Sequence, residues 1–253
     1  LLGLVLYRQN SFPLAAMHLA RAVELGVRDE ASLLSLADCS LEVARWDGIV
    51  AVFQLLFNHQ ANPVEVIRRC ERFAEIYPKK DATFRQIERI WGDLYMRQQR
   101  PAEAHLCYQA ALQGLEPGLS EADAAFTTEL VTRLAAIAEE SSLTLRAETL
   151  ITAGHAHILL KQPEPALLAF QKAIQSDPML VQQVLEGLGR QMAVLPAFSP
   201  AYFETANLLI TQQDDSGAVN LINQIRQKFP QDREQLIALA KRLLLQLEGT
   251  GGD

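Results

Sequence analysis

One set of intervals occurs twice in this chain and constrains its fold more than any other feature. Gly92, Tyr95, Ala104, Tyr108 and Ala111 stand 3, 9, 4 and 3 residues apart, and Gly154, His157, Ala166, Phe170 and Ala173 stand at the same intervals. Pro117 and Pro178 follow the two sets. A small residue early in one helix lets a second helix approach, and a small residue plus an aromatic in the second fill the facing groove. The intervals therefore describe two interlocked helices. The closing proline cannot continue a helix and marks the turn to the next element.

Three weaker copies fit the template: Gly3, Leu6, Ala15, Leu19 and Ala22; Ala37, Ser40, Ile49, Phe53 and Leu56; and Ala206, Leu209, Ala218, Ile222, Ile225 and Pro230. Such repetition predicts a stack of helix pairs whose neighbours bury a core that no single pair could make. Composition agrees with helices throughout. Apolar residues make up 49% of the 253, only 13 are Gly and 11 Pro, and β-branched runs bounded by turn signals are absent. Pro and Gly fall singly at helix boundaries, with no linker between two domains, so one continuous domain over residues 1–248 is expected.

These residues resemble the tetratricopeptide (TPR) pattern of Gly or Ala, Tyr, Ala, Phe, Ala and Pro in 34 residues. The resemblance implies an all-α, right-handed α-solenoid of antiparallel helix pairs, with repeats near 1–28, 30–60, 84–117, 147–178 and 199–230. The copies are unevenly spaced. Gly3 to Ala37 is 34 residues, but the next steps, to Gly92, Gly154 and Ala206, are 55, 62 and 52. Extra helices are therefore expected between the later repeats, near 62–80, 120–141 and 178–195. Asn62-Pro63-Val64-Glu65 opens the first with a cap, a proline at the first helical position and a Glu able to reach back. Ser120 opens the second and Asp177 the third. An apolar C-terminal helix is expected over 232–247 and a flexible tail over 249–253. The opening Leu1 to Tyr7 has no initiator Met and reads as the middle of a helix, which suggests the repeat region of a larger protein.

The net charge of −7, with Lys and Arg scattered, speaks against nucleic acid as a partner. No stretch approaches the roughly 20 apolar residues needed to cross a bilayer, and no secretory signal is present, so a cytoplasmic location without membrane insertion is the expectation. Cys39, Cys70 and Cys107 lack Cys-x-x-Cys spacing and read as buried small hydrophobes. His155 and His157 lie about 200° apart around a helix and cannot share a metal as an i, i+4 pair could. His18, His59 and His105 are isolated. The acidic pairs Glu139-Glu140 and Asp214-Asp215 read as solvated surface, and Gly187 and Gly189 lie inside an apolar helical stretch. Trp91 reads as core and Trp46 as packing near a turn. No catalytic residue, metal site or cofactor is expected, and the chain is read as no enzyme.

In the resembled family the first helices of successive pairs line a concave groove that holds a peptide or a partner's helix. Repeat register then implies Tyr7 and Arg8 from the first pair and Asp38 and Glu42 from the second. It adds Arg89, Asp93, Met96 and Arg97 from the third, His155 and Ile158 from the fourth, and Phe203, Asn207 and Ile210 from the fifth. Members that clamp a chaperone's C-terminal carboxylate use Lys and Asn here, whereas Asp38 and Asp93 stand at the Asn-like positions, so that ligand is not expected. The inserted helices are a competing occupant for the apolar groove positions, since they must pack somewhere. Self-association through the C-terminal helix is a further expectation, because its leucines cover more than one face. The main expectation is a protein-protein interaction scaffold; the alternative is a regulatory or enzymatic repeat domain with a small ligand between repeats.

Overall fold

The computed structural model describes residues 1–77 and 79–250 and divides the chain into two compact units, Leu1–Gly114 and Leu115–Asp253. The first holds α1 (Leu2–Arg8), α2 (Phe12–Glu24), α3 (Glu30–Glu42), α4 (Ile49–Asn58), α5 (Pro63–Ile76), α6 (Ala82–Arg97) and α7 (Pro101–Ala111). The second holds α8 (Glu121–Glu140), α9 (Leu143–Leu159), α10 (Pro163–Ser176), α11 (Val181–Val194), α12 (Ser199–Thr211), α13 (Asp215–Lys228) and α14 (Arg233–Thr250). A single 3-10 turn, Pro178–Leu180, leads into α11, and no strand occurs among the described residues. Each unit is an all-α stack of helix pairs. The pairs α1–α2, α3–α4, α6–α7, α9–α10 and α12–α13 carry the five repeat copies, and α5, α8 and α11 fill the longer intervals. Of the expected tail, Gly249 and Thr250 fall within α14, and 251–253 lie outside the described residues.

The first helix of each repeat pair ends in one geometry. Asn10, Ala44, Gln99, Lys161 and Gln213 adopt left-handed backbone with φ between 50° and 60°, each seven residues after the small residue of its repeat. The following N–H donates to the carbonyls of Leu6, Ser40, Tyr95, His157 and Leu209 at 2.9–3.0 Å, closing the helix end as a Schellman motif. Those carbonyls belong to the second position of the repeat template. Turn and packing register are thus locked together.

Side-chain caps start many of the helices. Asp29, Asn62, Asp81, Ser120 and Asp214 each accept from a backbone N–H of the first turn, and Asp177 accepts from Met179 at the 3-10 turn. At Asn62 the closure is tertiary. Its backbone N–H donates to the Glu30 carboxylate of α3 at 2.8 Å, while Glu65, expected to reach back, is engaged by Arg68 and Arg69.

Close approach of the paired helices fills the core. A Cβ on Gly92 would overlap the Tyr108 ring, and one on Gly154 would overlap Phe170. Phe170 is gripped a second time by Gly187 of α11, inside a core that also takes Ala147, Ile158, Ala166 and Leu188. In the first unit α3 packs on α1, α2, α4 and α5, while α6 packs on α4, α5 and α7. In the second, α9 packs on α8, α10 and α11, and α12 on α11, α13 and α14. Trp46 sits edge-on to Phe73 and Tyr77, Trp91 lies 6.0 Å from the Tyr95 ring, and the three cysteines are buried and unpaired.

The two kinds of helical glycine should respond oppositely to one methyl group. Gly92→Ala is expected to lose about 2 kcal/mol, because overlap with Tyr108 outweighs the better helix propensity of Ala. Gly189→Ala meets open space within 4 Å and is expected to gain about 1 kcal/mol. Urea unfolding of both variants checks the pair of signs.

Candidate functional site

In the first unit the residues proposed for a groove lie in two rows. Asp38 of α3 accepts from the Tyr7 hydroxyl of α1 at 2.9 Å and from the Arg69 guanidinium of α5 at 2.6 Å. Tyr7, Asp38 and Arg69 follow one another at equal steps of 31 residues, so successive helices of this row meet at the same height. Arg69 also donates to the carbonyl and carboxylate of Glu65, at 2.7 and 2.9 Å, and its side chain is only 7% exposed. Burial works against its charge, but bonds to Asp38 and Glu65 outweigh that and raise its pKa. One turn on, Glu42 pairs with Arg72 of α5 where both are part-exposed.

The second row runs through α4 and α6. Arg89 donates to Gln54 of α4 at 2.8 Å and pairs with Asp93 at 3.3 Å, and Asp93 accepts from the Tyr108 hydroxyl at 2.7 Å. Arg97 lies over the Phe57 ring, 3.4 Å from its centroid, and donates to the Phe57 carbonyl. Asp38 and Glu42 are thus held by α5, and Arg89 and Arg97 reach α4. Of the predicted set in this unit, Glu42 and Arg97 are exposed, while Asp38, Arg89, Asp93 and Met96 are partly buried. Arg69 escaped prediction because α5 carries no copy of the repeat template. The 31-residue step was the signal that could have found it.

In the second unit the apolar members are covered. Ile158 lies in a core with Val181, Val184 and Leu188 of α11, and Phe203 and Ile210 lie with Leu239 and Leu243 of α14. The extra helices are what fills those positions. Asn207 accepts from Arg242 of α14 at 3.0 Å, and Arg242 also donates to Thr211. His155 stands edge-on to Phe170, 5.6 Å between centroids, and burial holds its pKa down at about 4, with Arg190 adding to the effect. His157 bonds Gln162 at 2.8 Å, closing the α9–α10 turn. Among the described residues no group of three His, Cys, Asp or Glu side chains is placed to hold a metal ion, and no helix is long and apolar enough to cross a membrane.

The Arg69 to Asp38 pair is expected to act as a buried pair. Arg69→Ala leaves a carboxylate with little access to water and should lower the unfolding free energy by about 3 kcal/mol, and Arg69→Leu/Asp38→Leu should restore most of it. Arg68→Ala, at the exposed end of the same cluster, should change stability by less than about 0.5 kcal/mol. Denaturant titrations distinguish the three.

No protein-family model matches the chain, and no curated protein matches it. Among solved structures it is similar to the TPR2AB domain of yeast Sti1 in a complex with pHSP90, at 16% identity over 95% of each chain with a TM-score of 0.26. It is also similar to YrrB, a TPR protein with an unusual peptide-binding site, at 13% identity over 89% of this chain and 99% of that one, TM-score 0.26. A third is the C-terminal part of a TPR repeat-containing protein from Cytophaga hutchinsonii, at 12% identity over 92% and 96%, TM-score 0.25. These neighbours are all TPR proteins.

Proposed function

We propose that this chain is a non-enzymatic, cytoplasmic protein-interaction scaffold that binds a helix of a partner protein. The carrying observation is a comparison of equivalent positions. One residue before and two after the small residue stand Leu36 and Cys39 in α3, Trp91 and Leu94 in α6, Ala153 and Ala156 in α9, and Thr205 and Leu208 in α12. All but Trp91, which is half-buried, are buried. α3 packs on α2, α6 on α5, α9 on α8 and α12 on α11. In α1 the same positions are Leu2 and Val5, 56% and 48% exposed. A cavity of about 380 Å³ lies beside Leu2, lined also by Leu1, His18, Leu19, Val27 and Asp29 among others. α1 therefore carries apolar residues at positions that this chain covers with a helix four times elsewhere, and such a surface suits recognition of an amphipathic helix.

Capture of partners from the source lysate by wild type, Leu2→Asp/Val5→Asp and Arg89→Glu/Arg97→Glu, each shown by circular dichroism to be folded, tests the reading. A partner kept by wild type and lost with Leu2→Asp/Val5→Asp supports helix docking on α1. Loss with Arg89→Glu/Arg97→Glu alone moves the site to the α4–α6 row. Retention of every partner by both variants overturns the reading.

A second copy of the chain is the partner favoured by α14, whose Ile237, Leu244 and Leu245 are 45%, 58% and 70% exposed while Leu239 and Leu243 face the core. Light scattering is expected to give a mass above 28.1 kDa at high protein concentration and 28.1 kDa for Leu244→Glu/Leu245→Glu. A wild type that stays at the monomer mass removes self-association.

A further inference from the structure

Two of the extra helices carry the same intervals of 3, 4 and 3 residues, ending each time on a glutamine. Val181, Val184, Leu188 and Gln191 of α11 stand at them, and so do Leu236, Leu239, Leu243 and Gln246 of α14. The first set is buried, and of the second Leu239 and Leu243 are buried and the other two half-buried. Their placement matches as well. α11 packs back on α9 and α10, the pair before it, as α5 packs on α3 and α4 and α14 on α12 and α13. Arg242 of α14 donates to Asn207, the residue after Ala206, just as Arg69 of α5 donates to Asp38, the residue after Ala37. α14 thus stands behind its pair as α5 and α11 stand behind theirs. The other side of these helices differs. α5 is covered by α6 and α11 by α12, in each case the first helix of the next pair. On α11 that contact includes Met192, which directly follows Gln191 and whose sulfur accepts from the hydroxyl of Thr205 at 3.9 Å. Thr205 is the residue before the small residue of α12. In α14 the residue directly after Gln246 is Leu247, 40% exposed, with exposed Leu244 one turn back.

We infer that α14 of one copy of this chain docks on α1 of a second copy, with Leu247 and Leu244 against Leu2 and Val5, so that the stack continues from chain to chain. The inference rests on the reading that α1 takes a helix, and it names that helix. α14 presents the place where α11 receives the residue before the small residue of a first helix, and α1 is a first helix whose residue at that position, Leu2, is open. The short connection 195–198 turns α12 back along α11. The same antiparallel course on α14 sets Leu2 at Leu247 and then Val5, three residues on, at Leu244, three residues back. Both surfaces are aliphatic, and removing them from water drives the contact. Because the two surfaces differ, the contact is heterologous, and each copy can offer one end to a further copy. One helix on one helix lies at the small, weak end of specific interfaces, so association belongs to high protein concentration.

Mixing two purified variants, each shown by circular dichroism to be folded, tests the pairing by light scattering at high concentration. Leu2→Asp/Val5→Asp keeps only the α14 surface and Leu244→Glu/Leu247→Glu only the α1 surface. Wild type is expected above the 28.1 kDa of one chain, and each variant alone at 28.1 kDa. Their equal mixture should rise towards the mass of two chains and stop there, because the one good contact it can form leaves both remaining ends blocked. Association of Leu2→Asp/Val5→Asp by itself would mean that α14 packs on α14 and overturns the inference, as does a mixture that stays at 28.1 kDa. A wild type that remains a single chain also overturns it, yet leaves helix docking on α1 standing, since capture of a different protein from lysate is read separately.

Discussion

The distance between the two helices of a pair governs everything built on them, and at Gly92 and Gly154 that distance is set by a missing side chain. With no Cβ there, the Tyr108 and Phe170 rings settle against bare backbone. The pair then closes far enough for the Tyr108 hydroxyl to reach Asp93, and the left-handed turn seven residues after the glycine delivers the second helix in register. Gly3 repeats the arrangement with Leu19, an aliphatic residue taking the aromatic's place. Close packing, turn closure and register are therefore one constraint stated in three ways.

That constraint explains what could be read from sequence. Positions such as Ala104, Phe53, Ala166 and Ile225 are fully buried because the template records a local fit between two helices a fixed number of residues apart. Helix starts were legible for a similar reason, since Ser120 and Asp177 cap within their own first turn. Relations between non-adjacent helices were not. The template says nothing of α5, which carries none of its marks, so Arg69 and its hold on Asp38 were invisible. The backbone N–H of Asn62 went to Glu30, 32 residues away, where a local capping box had been expected. The apolar positions Ile158, Phe203 and Ile210 were assigned to a groove by counting along first helices, but α11 and α14 lie over them.

The faces that remain open differ in character. Along α1, α3 and α5 the polar groups are tied to one another across helices before any partner arrives, so a ligand meeting Glu42 or Arg72 finds side chains whose freedom is already restricted. At α1 the open surface is aliphatic instead, with Leu2 and Val5 in the places that Leu36 and Cys39 bury in α3. A partner that engaged both would need an apolar stripe flanked by charge, the ordinary pattern of an amphipathic helix.

Phe170 lies between Gly154 of its own pair and Gly187 of the inserted α11. An insertion is commonly thought of as material that a repeat array tolerates and could shed. Here the added helix supplies half of the socket for the central aromatic, so excising residues 178–195 would not leave a regular repeat. It would leave an open-sided ring at the middle of the unit. In this stretch the array is not modular, and its repeats can be exchanged or shortened only as a block that keeps α9, α10 and α11 together.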